Sequence, residues 1–83
     1  MLETFIHCKD LRRCYELHWL CTKGVGIQPM SPPFGFMNSG ILEVLNDDFE
    51  KLKKHEKVWR LIEMWLEIGY ITEIISESED EES

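Results

Sequence analysis

The amino-acid sequence predicts a mainly α-helical domain, in which a long loop separates the first of three helices from the second and an acidic tail ends the chain. Three observations predict this fold class. Residues 3–22 contain neither Gly nor Pro, whereas four of the five glycines and all three prolines fall within residues 24–40, which excludes a helix there. Residues 57–70 carry apolar side chains at helical spacing around all but one narrow polar strip.

Residues 3–22 are expected to form helix 1. Its end is predicted near Gly24, because a base in the last turn, Lys23, and a glycine beyond it are typical of helix C-termini. A second interpretation makes residues 2–8 a short strand, since polar and apolar residues partly alternate there. We favour the helix because the alternation of Leu2, Thr4 and Ile6 with Glu3 and Phe5 is impure.

The connection over residues 24–40 is long for a compact domain and rich in Gly, Pro and Phe. Loops longer than ~12 to 15 residues tend to be functional or disordered. Its aromatic residues, Phe34 and Phe36, predict either a loop that packs on the helices or one that is held for a binding partner. We favour packing, because small domains readily bury such residues.

Helix 2 is expected to run from about residue 40 to Lys54, with Asn38 or Ser39 as its N-cap. The phase of its apolar residues does not continue into helix 3, and the change falls within residues 53–57. A turn there is therefore predicted, with one continuous helix as the alternative. Gly69 is expected to end helix 3.

Residues 1–75 are expected to form a single domain and residues 76–83 a flexible acidic tail. The β-branched run over residues 70–76 fits either a short strand or a final frayed turn. An apolar strand followed by acids is also the layout of peptides that add to the edge of another protein's sheet.

The negative charge is concentrated at the end of the chain. The net charge is −7, and the last seven residues contain five acids, which leaves −2 for the rest of the sequence. Direct binding to nucleic acid is not expected, because it requires clustered Lys and Arg to neutralise phosphates. The acidic tail is instead expected to steer the protein towards a basic surface, such as that of a nucleic-acid-binding protein.

Three cysteines, an odd number, predict free thiols and a reducing compartment rather than a disulfide framework. The N-terminus lacks the basic and apolar regions of a secretory signal, and no apolar run approaches the ~18 residues of a membrane span. The expected location is the cytoplasm, or the nucleus of a eukaryotic host.

Zinc binding and catalysis are both considered and not predicted. Cys14, His18 and Cys21 share one side of helix 1 and are zinc-type ligands, but one rigid helix seldom supplies more than two ligands to one ion. Asp10, Cys14 and His18 resemble a catalytic ladder, yet no phosphate-binding loop or oxyanion-hole signature accompanies them. No cofactor and no enzymatic activity are therefore expected.

Protein binding through an aromatic patch on the last helix and the neighbouring loop is the predicted function. Trp65 is expected in the core with Val58 and Ile62, because the three are in line on helix 3. Tryptophan and tyrosine often anchor binding hot spots. The predicted partner-binding residues are Trp59, Leu66, Tyr70, Phe34, Phe36 and Trp19.

The predicted protein is thus a small, acidic, non-enzymatic binding protein with one protein partner and no membrane association. Its size and composition resemble those of virus- or phage-encoded inhibitors of host factors. The alternatives are a structural or regulatory subunit that homodimerises through helix 3 and a zinc-stabilised adaptor.

Overall fold

The chain begins with a strand rather than a helix. A computed structural model describes residues 2–35 and 39–77, and in it Glu3–Cys8 form β1, whose half-buried and buried side chains alternate. The following elements are α1 Leu11–Trp19, a π-helical segment Leu20–Val25, β2 Gly40–Leu45, α2 Asn46–Lys54, α3 Glu56–Ile68 and β3 Ile71–Ser76. The protein therefore has an α+β fold, and the predicted mainly helical, three-helix domain is wrong.

The three strands form one antiparallel sheet in the order β2-β1-β3. In the central strand β1, Phe5 lies opposite Glu43 of β2 and opposite Ile75 of β3. A β-bulge interrupts the pairing of β1 with β3 between His7 and Cys8. The connection through α1 joins neighbouring strands, whereas α2 and α3 carry the chain across the sheet from β2 to β3.

All three helices pack on one face of the sheet and enclose one apolar core. The covered face contributes alternate residues of each strand, including Ile6, Leu42 and Ile71. The core consists of Ile6, Cys8, Cys14, Leu17, Cys21, Ile27, Leu42, Val44, Phe49, Leu52, Val58, Ile62, Trp65 and Ile71. The prediction that Trp65 joins Val58 and Ile62 in the core is confirmed.

Two strands replace parts of the predicted helices 1 and 2. Asp10 ends the extended segment and starts α1, because its side chain accepts a hydrogen bond from the Arg13 N–H at 2.9 Å. Helix 2 begins only at Asn46, and Ser39 is not its N-cap, because residues 40–45 are extended and pair with β1. The strand interpretation of the N-terminal segment, which the sequence analysis ranked second, is confirmed.

The predicted break between the last two helices is confirmed. His55 separates α2 from α3 in an extended conformation, and its Nδ1 accepts the Val58 N–H at 3.3 Å as the N-cap of α3. Gly69 ends α3 with φ 92°, as predicted. At the end of α1 the left-handed residue is Gly26, with φ 85°, because the π-helical segment carries the chain beyond Gly24.

Gly40 allows α1 to lie close to β2. A Cβ built at Gly40 would lie 2.8 Å from the Cys14 Cβ and 3.2 Å from the Leu11 Cα. Any larger residue would therefore push the helix away from the strand.

The strand β3 includes Ser76, and Glu77 continues its pairing with β1. Asn38, Phe36 and residues 78–83 of the predicted tail lie outside the described residues. Within residues 2–35 and 39–77, every helix is too short or too polar to cross a membrane.

Candidate functional site

The predicted patch around the last helix is divided by the fold between core and surface. Trp59 is half-buried because its ring packs edge-on against Phe49, with the ring centroids 5.7 Å apart. Tyr70 packs in the same way against Trp65, at 5.8 Å. Leu66 is 39% exposed. Two of these three predicted residues therefore use part of their rings to cover the core.

Tyr70 also brings together two basic residues from the start of the chain. The Arg13 guanidinium lies 4.0 Å from the centroid of the Tyr70 ring, and the Lys9 Nζ lies 5.6 Å from it. The Lys9 N–H donates a 2.8 Å hydrogen bond to the Tyr70 carbonyl, and the Arg13 Nη1 donates a 3.0 Å hydrogen bond to Glu16. We call Lys9 and Arg13 the basic corner, which adjoins the first residue of β3.

The other predicted binding residues lie on different surfaces. Trp19 is 61% exposed and continues a stripe on α1 that also includes Leu11 and Tyr15, at intervals of four residues. Phe34 is 48% exposed and pairs with β2 at the outer edge of the sheet. Phe36 falls outside the described residues. Trp19 and Phe34 thus lie on α1 and at the β2 edge rather than on the last helix.

The three cysteines are buried thiols of the core. The hydrogen bond that Cys8 donates to Cys14 raises the pKa of Cys8, with burial adding to the shift, and lowers the pKa of Cys14. Burial raises the pKa of Cys21 to about 12. Within residues 2–35 and 39–77, His18 and these cysteines belong to no group of three or more metal-type ligands.

The sheet has a second face that no described helix covers. We call it the open face and define it by the alternate strand residues that point away from the core. Its apolar members are Phe5, Ile41, Leu45 and Ile75, and its polar members are Glu3, His7, Glu43 and Glu73. The apolar side chains are neighbours, because Ile75 lies directly opposite Phe5 while Ile41 and Leu45 lie diagonal to it.

Carboxylates crowd the open face. The pKa of Glu3 is raised by a hydrogen bond with Glu43, by partial desolvation, and by the negative charges of Glu43 and Glu77. The Glu77 side chain lies close enough to accept the Glu3 N–H at 3.2 Å. The free protein thus holds like charges together at a solvent-facing site, where a cationic partner would relieve their repulsion.

Sequence reasoning missed the open face because it assigned most of its residues to helices 1 and 2. The available signal was the alternation of Thr4 and Ile6 with Glu3, Phe5 and His7. Phe5 made that pattern look irregular. Phe5, which weakened the strand assignment, is the central apolar residue of the open face.

Comparison with known proteins adds no functional assignment, since no family model matches the chain and neither the curated proteins nor the solved structures contain a significant match.

Proposed function

We propose that this protein is a non-enzymatic binding protein that recognises a basic protein surface through its open face. One observation carries the proposal: the helices of the described chain leave uncovered a sheet face in which four apolar side chains lie among carboxylates. The partner supplies apolar contacts for Phe5 and its neighbours, and lysine or arginine for Glu3 and Glu43.

The apolar residues are the reason to expect a partner at all. One face of an antiparallel sheet commonly faces water, and such a face is ordinarily polar. Here Phe5 stands half-buried at the centre of the face, Ile75 is 44% exposed beside it, and Ile41 and Leu45 are half-buried. Contiguous exposed apolar residues with a polar rim are typical of interaction sites.

The carboxylates are the reason to expect a basic partner. Glu3, Glu43 and Glu73 alternate with the apolar residues, and Glu77 adjoins them. Opposite charges across an interface speed encounter and exclude wrong partners. A nucleic-acid-binding protein has such a surface, and occupying it would inhibit that protein, which is the inhibitor function expected from the sequence.

Zero-length carbodiimide cross-linking tests this proposal, because it joins carboxylates to lysines only where the two groups touch. The wild-type protein is cross-linked in extract of its native cell, and the joined peptides are identified by mass spectrometry. We expect Glu43 and Glu73 to be joined to lysines of another protein. Glu63 and Glu67 on the solvent side of α3 are internal controls. Cross-links confined to those two residues would overturn the proposal.

The partner that cross-linking identifies is then purified without cross-linker, and its affinity for variants of the open face tests the apolar residues. Phe5→Thr places a β-branched residue, which favours strands, at this position. It should weaken binding by ~10-fold or more, as expected at the centre of an interface. Trp19→Gln removes the most exposed aromatic of α1 and should leave the affinity unchanged. The reverse pattern would move the interface to the α1 stripe and refute the open face as the binding site.

A further inference from the structure

The two outer edges of the sheet are treated differently by the chain. At the β2 edge, the Met30 N–H donates to the Glu43 carbonyl at 2.8 Å, and Phe34 and Ile41 exchange two hydrogen bonds of 2.6 and 3.3 Å. The loop that follows the π-helical segment therefore pairs with this edge. Exposed strand edges are templates for further pairing, so native proteins usually cover them.

The β3 edge has no such cover in the described chain. The Glu77 N–H donates to the Glu3 carbonyl at 3.0 Å, so the alternation of an antiparallel ladder directs the backbone groups of Glu73, Ile75 and Glu77 towards β1. The backbone groups of Ile74 and Ser76 point outwards. β3 contains no Pro and no Lys, two residues that commonly protect an edge.

We propose that the β3 edge pairs antiparallel with β3 of a second copy of the chain, which joins the two sheets into one of six strands. The proposal goes beyond the binding function, because it concerns the edge of the sheet rather than its open face. α3 packs on β3 and exposes Met64 and Ile68, which are one helical turn apart. The α3 helices of the two copies flank the strand junction and add the apolar area that two strand edges alone lack.

Charge selects the register of this pairing. If Ile74 lies opposite Ile74 of the second copy, each Glu73 lies opposite an Ile75. A shift of the two-fold axis to Ile75 would instead place Glu73 opposite Glu77, and like charges directly opposite each other are destabilising. The geometry therefore favours the axis at Ile74.

Charge also explains why the occupant is a second copy in antiparallel orientation. With the axis at Ile74, Glu77 lies opposite Ile71 of the second copy, next to the Tyr70 that holds the basic corner. The sequence after Glu77 contains four further acids, which are opposite in charge to the basic corner of the second copy. A parallel arrangement would place the two acidic ends side by side. A foreign strand would need its own acidic end to complement that corner.

Sedimentation equilibrium of the full-length protein, with no other protein present, tests the dimer. The mass should rise from 9.9 kDa towards twice that value as the concentration increases from about 5 μM to about 500 μM, because the interface is small. A monomer at every concentration overturns the proposal.

Substitutions test whether the dimer forms through the β3 edge, in this register, rather than through another surface. Ile75→Glu places a carboxylate opposite Glu73 of the second copy and should abolish dimerisation, whereas adding Glu73→Lys to that variant should restore it. Tyr15→Glu and Leu66→Glu introduce the same charge on α1 and on the side of α3 away from Met64 and Ile68, and should leave the dimer unchanged. Circular dichroism checks the fold of each variant. A dimer that survives Ile75→Glu, or that Glu73→Lys does not restore, refutes the proposed pairing.

This test is independent of the binding function. The mass is measured without a basic partner, so a missing dimer leaves the cross-linking result unaffected. Equally, loss of the open-face interaction by Phe5→Thr leaves the strand edge and its pairing intact. Dimerisation lost in Leu66→Glu but kept in Ile75→Glu would instead favour the helix 3 dimer that the sequence suggested.

Discussion

The two faces of the sheet carry different residues, and the described helices pack against only one of them. The covered face contributes Ile6, Leu42 and Val44, which are fully buried against the helices. The open face places Phe5 opposite a glutamate on one side and Ile75 on the other. Burial accounts for the first set, since apolar area removed from water stabilises the fold. The second set contributes little to the core, which points to a role outside folding.

The largest expected effect contrasts one aliphatic residue from each face. Leu42→Ala removes a fully buried side chain and should lower the free energy of unfolding by about 2–5 kcal/mol. Ile75→Ala removes a side chain that is 44% exposed and should cost less than about 1 kcal/mol. Urea unfolding followed by circular dichroism at low protein concentration measures both.

The total stability of a domain of this size is only about 4–12 kcal/mol, so Leu42→Ala can leave the protein unfolded. Ile6→Val is the milder variant on the same face, with an expected loss of about 0.5–1.5 kcal/mol. Equal losses for the variants of the two faces would show that the open face also stabilises the fold. The contrast between the faces would then not support a binding role.

A smaller effect is expected from the closeness of α1 to the covered face. Gly40→Ala adds a Cβ that meets backbone atoms of Leu11 and Asp10 at 3.2 and 3.3 Å and the Cys14 Cβ at 2.8 Å, and should cost about 1–3 kcal/mol. Gly24→Ala is the matched control, because its Cβ would lie at an ordinary 3.5 Å from Val58.

Thermal unfolding of the two glycine variants gives the comparison directly. The control should be neutral or slightly stabilising, since alanine favours helical backbone more than glycine does. A Gly40→Ala variant as stable as the wild type would show that α1 can move away from β2 at no cost.

Features with a local signal were predictable from the sequence. The turn at His55 follows from a change of apolar phase within a few residues, and Gly69 ends α3 because glycine readily adopts φ 92°. Trp65 was correctly placed in the core because its neighbours on one helix determine its environment. Each of these inferences needs only residues within two or three turns of the chain.

The sheet was not predictable by the same means, because each strand is stabilised by residues far away in sequence. Glu3 pairs with Leu45 on one side, and on the other side its carbonyl accepts a hydrogen bond from the Glu77 N–H. No local pattern encodes those partners, and Phe5 on the open face weakened the only periodicity available. The candidate site was missed for the same reason, since it exists only when three distant segments are side by side.

The smallest expected effect concerns the charges of the open face. The pKa of Glu3 is raised in the folded protein, by its hydrogen bond with Glu43 before all other causes. The folded state therefore binds this proton more tightly than the unfolded state, and stability falls as the pH rises above the ordinary value of 4.5 and through the raised pKa. Within the Glu3–Glu43 pair, the charge that Glu3 gains on ionisation therefore opposes folding.

Glu43→Gln removes one charge of this pair and should raise the melting temperature at pH 7 in low salt, with a smaller rise at pH 4. Glu63→Gln, on the exposed side of α3, should change neither value. A lower melting temperature for Glu43→Gln at pH 7 would mean that the Glu43 carboxylate stabilises the fold. A higher one would show that the open face retains a charge that opposes folding, which is understandable if a basic surface neutralises it on binding.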